Sequence, residues 1–136
     1  MKGLIFLAIL AAGVAVLAMN PGFIADKVLE FAKQNPTYAN TPDYVYDGAR
    51  ACQILQGDDA ALELYDYLYK TFPNNAALCA PAMYYSGKIK AESSYLKVFR
   101  VQALPYLQIV LDQYPDQLEW NAKAKQLMIE VNGDKP

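Results

Sequence analysis

Leu68-Tyr-Lys-Thr-Phe-Pro73 closes an apolar helical run with a proline one turn later, and the chain writes the same phrase twice more. The echoes are Phe31-Ala-Lys-Gln-Asn-Pro36 and Val110-Leu-Asp-Gln-Tyr-Pro115. The three prolines stand 37 and 42 residues apart, so the repeating unit is a supersecondary element and not a short motif. Internal periods of about 20–50 residues mark stacked-repeat architectures, which build binding surfaces more often than catalytic sites.

Outward from these phrases the chain reads as helices separated by short breakers, with no strand alternation. Phe23 to Gln34 places Ile24, Val28, Phe31 and Ala32 on one face, and Asn35-Pro36 stops it. Thr41-Pro42 is a helix start, with Thr41 as N-cap and Pro42 at the first position; the helix runs to about Leu55, and Gly57 supplies the turn. Asp58 or Asp59 caps a helix carrying Ala61, Leu62, Tyr65, Leu68 and Tyr69. Another opens near Ala76 with Pro81 in or near its first turn, and a helical pattern persists to Arg100, broken at Ser93-Ser94. Gln102–Gln113 and Asp116–Val131 complete the series, the latter with Leu118, Ala122, Leu127 and Val131 as its apolar side and Asn132-Gly133 as its stop.

At 136 residues, 54% hydrophobic and 19% charged, the chain suits one folded domain, and a net charge of −2 gives it no nucleic-acid footprint. The charge is unevenly spread. Residues 26–75 hold eight acids against four bases, whereas residues 84–103 hold Lys88, Lys90, Lys97 and Arg100 against Glu92 alone. That basic stretch is either a patch for an acidic partner or a solvated helix flank. Ahead of the helices, Gly3 to Met19 contains no polar residue. Seventeen such residues fit either a secretory h-region cleaved near Ala18 or a signal anchor with Lys2 left in the cytoplasm. Both readings export the helical region beyond Pro21. The expected organisation is a leader or anchor over 1–22, a helical domain over 23–133 and a tail over 134–136.

The stretch Gly57 to Asn75 resembles a tetratricopeptide repeat. Ala61, Tyr65, Leu68 and Pro73 meet the family's spacing; Ala103, Leu107, Val110 and Pro115 repeat it, and Ile24, Val28, Phe31 and Pro36 echo it more weakly. The resemblance covers about residues 24–131. Val45, Gly48, Ala49 and Cys52 stand where the family prefers Trp, Leu, Gly and Tyr, and the second repeat is enlarged by about eight residues, roughly Lys90 to Lys97. Within the superfamily, Thr71-Phe-Pro-Asn-Asn-Ala-Ala77 and Ala80-Pro-Ala-Met-Tyr-Tyr-Ser-Gly87 are most similar to bacterial envelope proteins of the Tol–Pal-associated and outer-membrane-assembly type. The resemblance implies an all-α superhelix of about two full repeats with end caps, and a protein-binding adaptor. It also implies a concave groove lined by the first helix of each pair, here Asp43, Tyr46, Arg50, Gln53 and Ile54, then Ala77, Ala80, Tyr84, Gly87 and Lys88. Of these, Tyr46, Arg50 and Tyr84 are the expected anchors, with Gln53 and Lys88 as polar readers, because Tyr and Arg dominate interface energetics. In the repeat register Cys52 and Cys79 are offset by about 10 Å, beyond the ~7 Å Cα reach of a disulfide, so both are expected as free thiols.

No catalytic chemistry is expected. The chain has no histidine, which removes the commonest general base and metal ligand, and its glycines are scattered singly, which removes phosphate-cradling loops. Asp58, Asp59 and Glu63 read as acids favoured by the positive end of a helix rather than as a metal cluster. The expected function is a non-enzymatic adaptor of the bacterial envelope. It has no cofactor, metal, nucleic acid or small-molecule substrate; a protein partner docks on it, and residues 3–19 hold it to the inner membrane if uncleaved. The rival is a permanent subunit of a membrane complex, with Gly3, Ala8, Ala11, Ala12, Gly13 and Ala15 packing against other spanning helices.

Overall fold

The computed structural model describes residues 20–93 and 97–133, and these form helices without a strand. In chain order they are α1 (Pro21–Gln34), α2 (Thr41–Ile54), α3 (Asp58–Thr71), α4 (Ala76–Glu92), α5 (Lys97–Arg100), a 3-10 turn (Val101–Ala103), α6 (Leu104–Gln113) and α7 (Leu118–Asn132). The chain divides into two compact units, Met1–Leu64 and Tyr65–Pro136, so that α3 contributes residues 58–64 to one and 65–71 to the other. The apolar segment 3–19, the tail 134–136 and Ser94–Leu96 of the expected insertion lie outside the described residues. Among the described residues no helix is long and apolar enough to cross a membrane.

The three proline phrases fold into one local structure. A proline disfavours helical geometry at the residue before it, and Asn35, Phe72 and Tyr114 are the residues at which α1, α3 and α6 end. Asn35 and Tyr114 have almost the same backbone, φ −127° and ψ 54° against φ −127° and ψ 52°. Each pre-proline carbonyl then accepts two donors. The first is the backbone N–H three residues on: Tyr38 at 3.3 Å, Asn75 at 3.0 Å and Gln117 at 3.1 Å. The second is a side chain of the following helix: Thr41 Oγ1 at 2.7 Å, Cys79 Sγ at 3.2 Å and Asn121 Nδ2 at 2.7 Å. The next helix starts from matching caps, Asn75 at φ −83°, ψ 77° and Gln117 at φ −84°, ψ 72°. The first copy differs: its loop is longer, and α2 begins at Thr41 after a further turn in which Thr41 N–H donates to the Tyr38 carbonyl at 3.0 Å. Thr41 is therefore the first helical residue, with Asn40 before it, and its hydroxyl closes the proline turn instead of capping α2.

In the first unit, α1 packs along α2. Asn20, expected to end the apolar run, caps α1 by accepting from Phe23 N–H at 3.2 Å, with Pro21 at the first position. The buried residues of α1 are Ile24, Ala25, Leu29 and Ala32, while Phe31 is 37% exposed. That corrects the expected face, because Leu68 and Val110, which hold the same place in the other phrases, are fully buried. α2 approaches α1 closely beside Val28: a methyl on Gly48 would stand 2.8 Å from Val28 Cγ2, which favours glycine there. The α2–α3 turn is a Schellman motif, with Gly57 N–H bonded to the Cys52 carbonyl at 2.8 Å and Gln56 N–H to the Gln53 carbonyl at 3.0 Å. Its left-handed position (φ 61°) is held by Gln56 and not by the glycine. Gly57 answers to a different constraint, since a methyl on it would lie 2.2 Å from Pro21 Cβ.

In the second unit α4 is buried nearly all round, through Cys79, Ala80, Pro81, Ala82, Met83, Ser86, Gly87, Ile89 and Ala91. It packs on α6, α7 and the 3-10 turn. Gly87 lets α6 in: its added methyl would meet Leu107 Cδ2 at 2.7 Å. Pro81 lies inside the helix, one turn deeper than expected, and removes the bond that the Ala77 carbonyl would otherwise accept; Ala77 is exposed, which leaves that carbonyl to water. Two tyrosine hydroxyls tie the ends together, Tyr114 donating to the Pro73 carbonyl at 2.8 Å and Tyr69 to Gln113 Oε1 at 2.7 Å. On α7 the buried residues are Ala124 and Val131; Leu118, expected on the apolar side, is 78% exposed, and Ala122 is exposed as well.

Both cysteines are free and buried. Each thiol donates to a backbone carbonyl, Cys52 to Pro21 at 3.4 Å and Cys79 to Phe72 at 3.2 Å, and burial pushes both thiol pKa values upward. Among the described residues no group of three or more His, Cys, Asp or Glu side chains is placed to hold a metal ion.

The turns generate two stability tests. Thr41→Val and Asn121→Leu each remove one of the two donors on a pre-proline carbonyl and are expected to cost about 0.5–1.5 kcal/mol in urea unfolding. At the Schellman turn the neighbouring positions respond oppositely. Gln56→Gly relieves the left-handed strain and gains about 0.5–1 kcal/mol, whereas Gly57→Ala drives a methyl into Pro21 and costs about 1–3 kcal/mol.

Candidate binding surface

The expected groove residues fall into two sets. Tyr46, Arg50 and Gln53 belong to α2 in the first unit, at spacings that place them on one helical face. All three are half-buried, and Arg50 Nη1 donates to Gln53 Oε1 at 2.8 Å, which holds the guanidinium along the helix. Asp43 and Ile54, at the two ends of this row, are exposed.

Tyr84 and Lys88 sit one turn apart on α4 in the second unit, and both are half-buried. The Tyr84 ring is built into an aromatic cluster. It lies 5.4 Å from Tyr85 and 5.5 Å from Trp120 of α7; Tyr85 is 5.6 Å from Trp120 and stacks at 6.2 Å on the fully buried Tyr65 of α3. Lys123 caps the cluster with its ammonium 4.3 Å from the Trp120 ring centre while bonding Glu119 at 2.6 Å. That arrangement gives Tyr84, Tyr85 and Trp120 fixed orientations with partly open edges, the low-entropy aromatic surface that protein recognition favours. Lys88 holds a loose ion pair with Glu92 at 3.9 Å, which leaves its ammonium available. Two of the expected groove positions are excluded by burial: Ala80 and Gly87 face the core.

Trp120 is the residue of the aromatic cluster that the repeat register passed over. It is the chain's single tryptophan, and counting back four from buried Ala124 places it on the inward side of α7. A second aromatic group lies around the first proline turn, where Phe31, Tyr38 and Tyr44 pack with ring centres 5.3–6.4 Å apart and all three are exposed.

The different packing of the α4 pair sets an expected contrast. Tyr84→Ala, which opens the cluster, costs about 1–2 kcal/mol, while Lys88→Ala stays within about 0.5 kcal/mol, both read from urea midpoints at constant slope.

No family model matches the chain, and no curated protein and no solved structure matches it.

Proposed function

We propose that this chain is a non-enzymatic protein–protein adaptor of the bacterial envelope, a short tetratricopeptide-like superhelix with about two full repeats and capping helices. On this reading the N-terminal segment carries it out of the cytoplasm, anchored to the inner membrane if residues 3–19 are retained and periplasmic if they are cleaved. The observation that supports the reading is the recurrence of a helix–proline-turn–helix structure at all three phrases, each pre-proline carbonyl accepting one backbone N–H and one side-chain donor of the next helix. Helical repeats bury their apolar faces against neighbours and leave the outer sides of the first helices for ligands. The part-exposed rows Tyr46–Arg50–Gln53 and Tyr84–Lys88 support docking of a helix or extended segment of a partner protein.

The test uses the full chain in native membranes, with a photo-crosslinking residue in place of Gln53 or Lys88 and a control at exposed Lys125. The expected result is one discrete protein adduct from both surface positions, absent from the control. It is abolished by Arg50→Ala and indifferent to exchange of residues 1–22 for an unrelated anchor. Adducts no stronger than the control overturn the adaptor reading. Adducts that vanish with the anchor exchange but survive Arg50→Ala transfer the function to a spanning-helix subunit of a membrane complex.

A further inference from the structure

We infer that the exposed aromatic group at the first proline turn, Phe31, Tyr38 and Tyr44, docks arginine side chains of a basic segment of a partner protein. The group lies within the first unit and is apart from the row Tyr46–Arg50–Gln53, because Tyr44 and Tyr46 are two residues apart and project from different sides of α2. Its rings hold one another in place. Tyr38 and Tyr44 are nearly parallel, 16° apart with centres at 6.3 Å, and Phe31 stands perpendicular to both, at 83° and 87°. Both tyrosines remain 48% exposed. Fixed rings with open faces lose little freedom when a partner covers them.

Charge selects the partner. The face of an aromatic ring is the negative end of its quadrupole and attracts cations. Asp43 precedes Tyr44 and Asp47 follows it by one helical turn; both are exposed, and among the described residues neither has a cation within ion-pair distance. Over residues 20–64 seven acids stand against three bases. Of those bases, Lys27 closes on Glu30 at 2.9 Å, Arg50 donates to Gln53 at 2.8 Å, and Lys33 leaves α1 two residues from Phe31, on another side of the helix. An acidic surface of this kind repels nucleic acid and anionic headgroups and attracts a basic chain. The ring spacing excludes a caged small ammonium ion, since rings centred 5.3–6.4 Å apart pack on each other and leave no gap between them. The cation must therefore approach from the open side. Arginine suits that approach better than lysine, because a guanidinium stacks flat on a ring while its edge bonds a carboxylate through two N–H groups.

The test titrates the full chain in mild detergent against labelled peptides that alternate serine with arginine, lysine or glutamate, followed by fluorescence anisotropy. The expected result is saturable binding of the arginine peptide, several-fold weaker binding of the lysine peptide and none of the glutamate peptide. Tyr44→Ala weakens the arginine peptide roughly 3- to 30-fold, whereas Tyr44→Phe keeps most of the binding. Tyr38→Ala, in the loop ahead of α2, has a similar effect and keeps the test open should Tyr44→Ala fail to fold. The double variant Asp43→Asn, Asp47→Asn weakens binding several-fold and flattens its salt dependence, while Asp116→Asn in the second unit leaves it unchanged. Equal binding of the arginine and glutamate peptides, indifference to both tyrosine variants, or an equal loss in Asp116→Asn overturns the inference. Self-association of the chain that the arginine peptide competes away and Tyr44→Ala abolishes overturns it in favour of a second copy. Failure of crosslinking at Gln53 and Lys88 would leave these outcomes readable, because the peptide reports on Tyr38 and Tyr44 alone.

Discussion

The carbonyl in front of each proline is the constraint on which the rest of the structure depends. Proline in the interior of a helix loses a hydrogen bond and crowds the preceding turn, and at Pro36, Pro73 and Pro115 the residue before it leaves helical geometry and the helix ends there. The carbonyl so released would be costly to leave unpaired at a partly buried helix end. In this chain Asn35, Phe72 and Tyr114 solve the problem alike, with one backbone N–H from the turn and one side-chain donor from the next helix. The second donor does more than satisfy an acceptor: it connects the start of one helix to the end of the preceding one and so fixes how the chain re-enters the core. Cys79 becomes intelligible on these grounds. Its thiol does for the second turn what the Asn121 amide does for the third, and a burial-raised pKa keeps it protonated as a donor.

The same device with a longer loop gives a different packing. Thr41 supplies the second donor to the Asn35 carbonyl from the first residue of α2, whereas Cys79 and Asn121 act from the fourth residues of α4 and α7. α2 meets α1 on a face shifted around the helix, marked by Ala25, Leu29 and Ala32. Phe31 is left at the edge and gathers Tyr38 and Tyr44 about itself instead of entering the core. A phrase that matches in sequence therefore keeps its turn and loses its packing register, because the turn is local and the register is set by the next helix.

That distinction explains what was legible in the residues alone. The helices, the proline stops and the Gly133 terminator with φ 68° arise from short-range chemistry, and the structure bears them out; the free cysteines, expected from the repeat register, are free as well. Helix faces and turn assignments depended on contacts far along the chain. Gly57 looked like the residue for a left-handed turn, yet contact with Pro21 requires glycine there and Gln56 takes the strained position. Pro81 was placed in or near the first turn of a helix rightly started near Ala76, but it is the sixth residue and lies inside the helix. Leu118 looked apolar and inward, but Trp120, Ala124 and Val131 define the other side of α7 and leave it in solvent. Of the surface residues, Tyr46, Arg50, Gln53, Tyr84 and Lys88 were legible as helix positions of one type; the aromatic cluster that orients Tyr84 was not, since Trp120 reaches it from another helix.

Burial also narrows what the second unit can offer a partner. α4 is apolar or small on almost every side, and a helix surrounded in this way presents only the few positions its neighbours do not cover. At its middle those positions are Tyr84, Tyr85 and Lys88, and toward its end Lys90. The middle positions are stiffened by Trp120 and Lys123. Stiff aromatic edges favour a partner of defined shape, because little side-chain freedom is lost when they are covered. Gly87, whose missing side chain admits Leu107, closes the core on the buried side of the same helix.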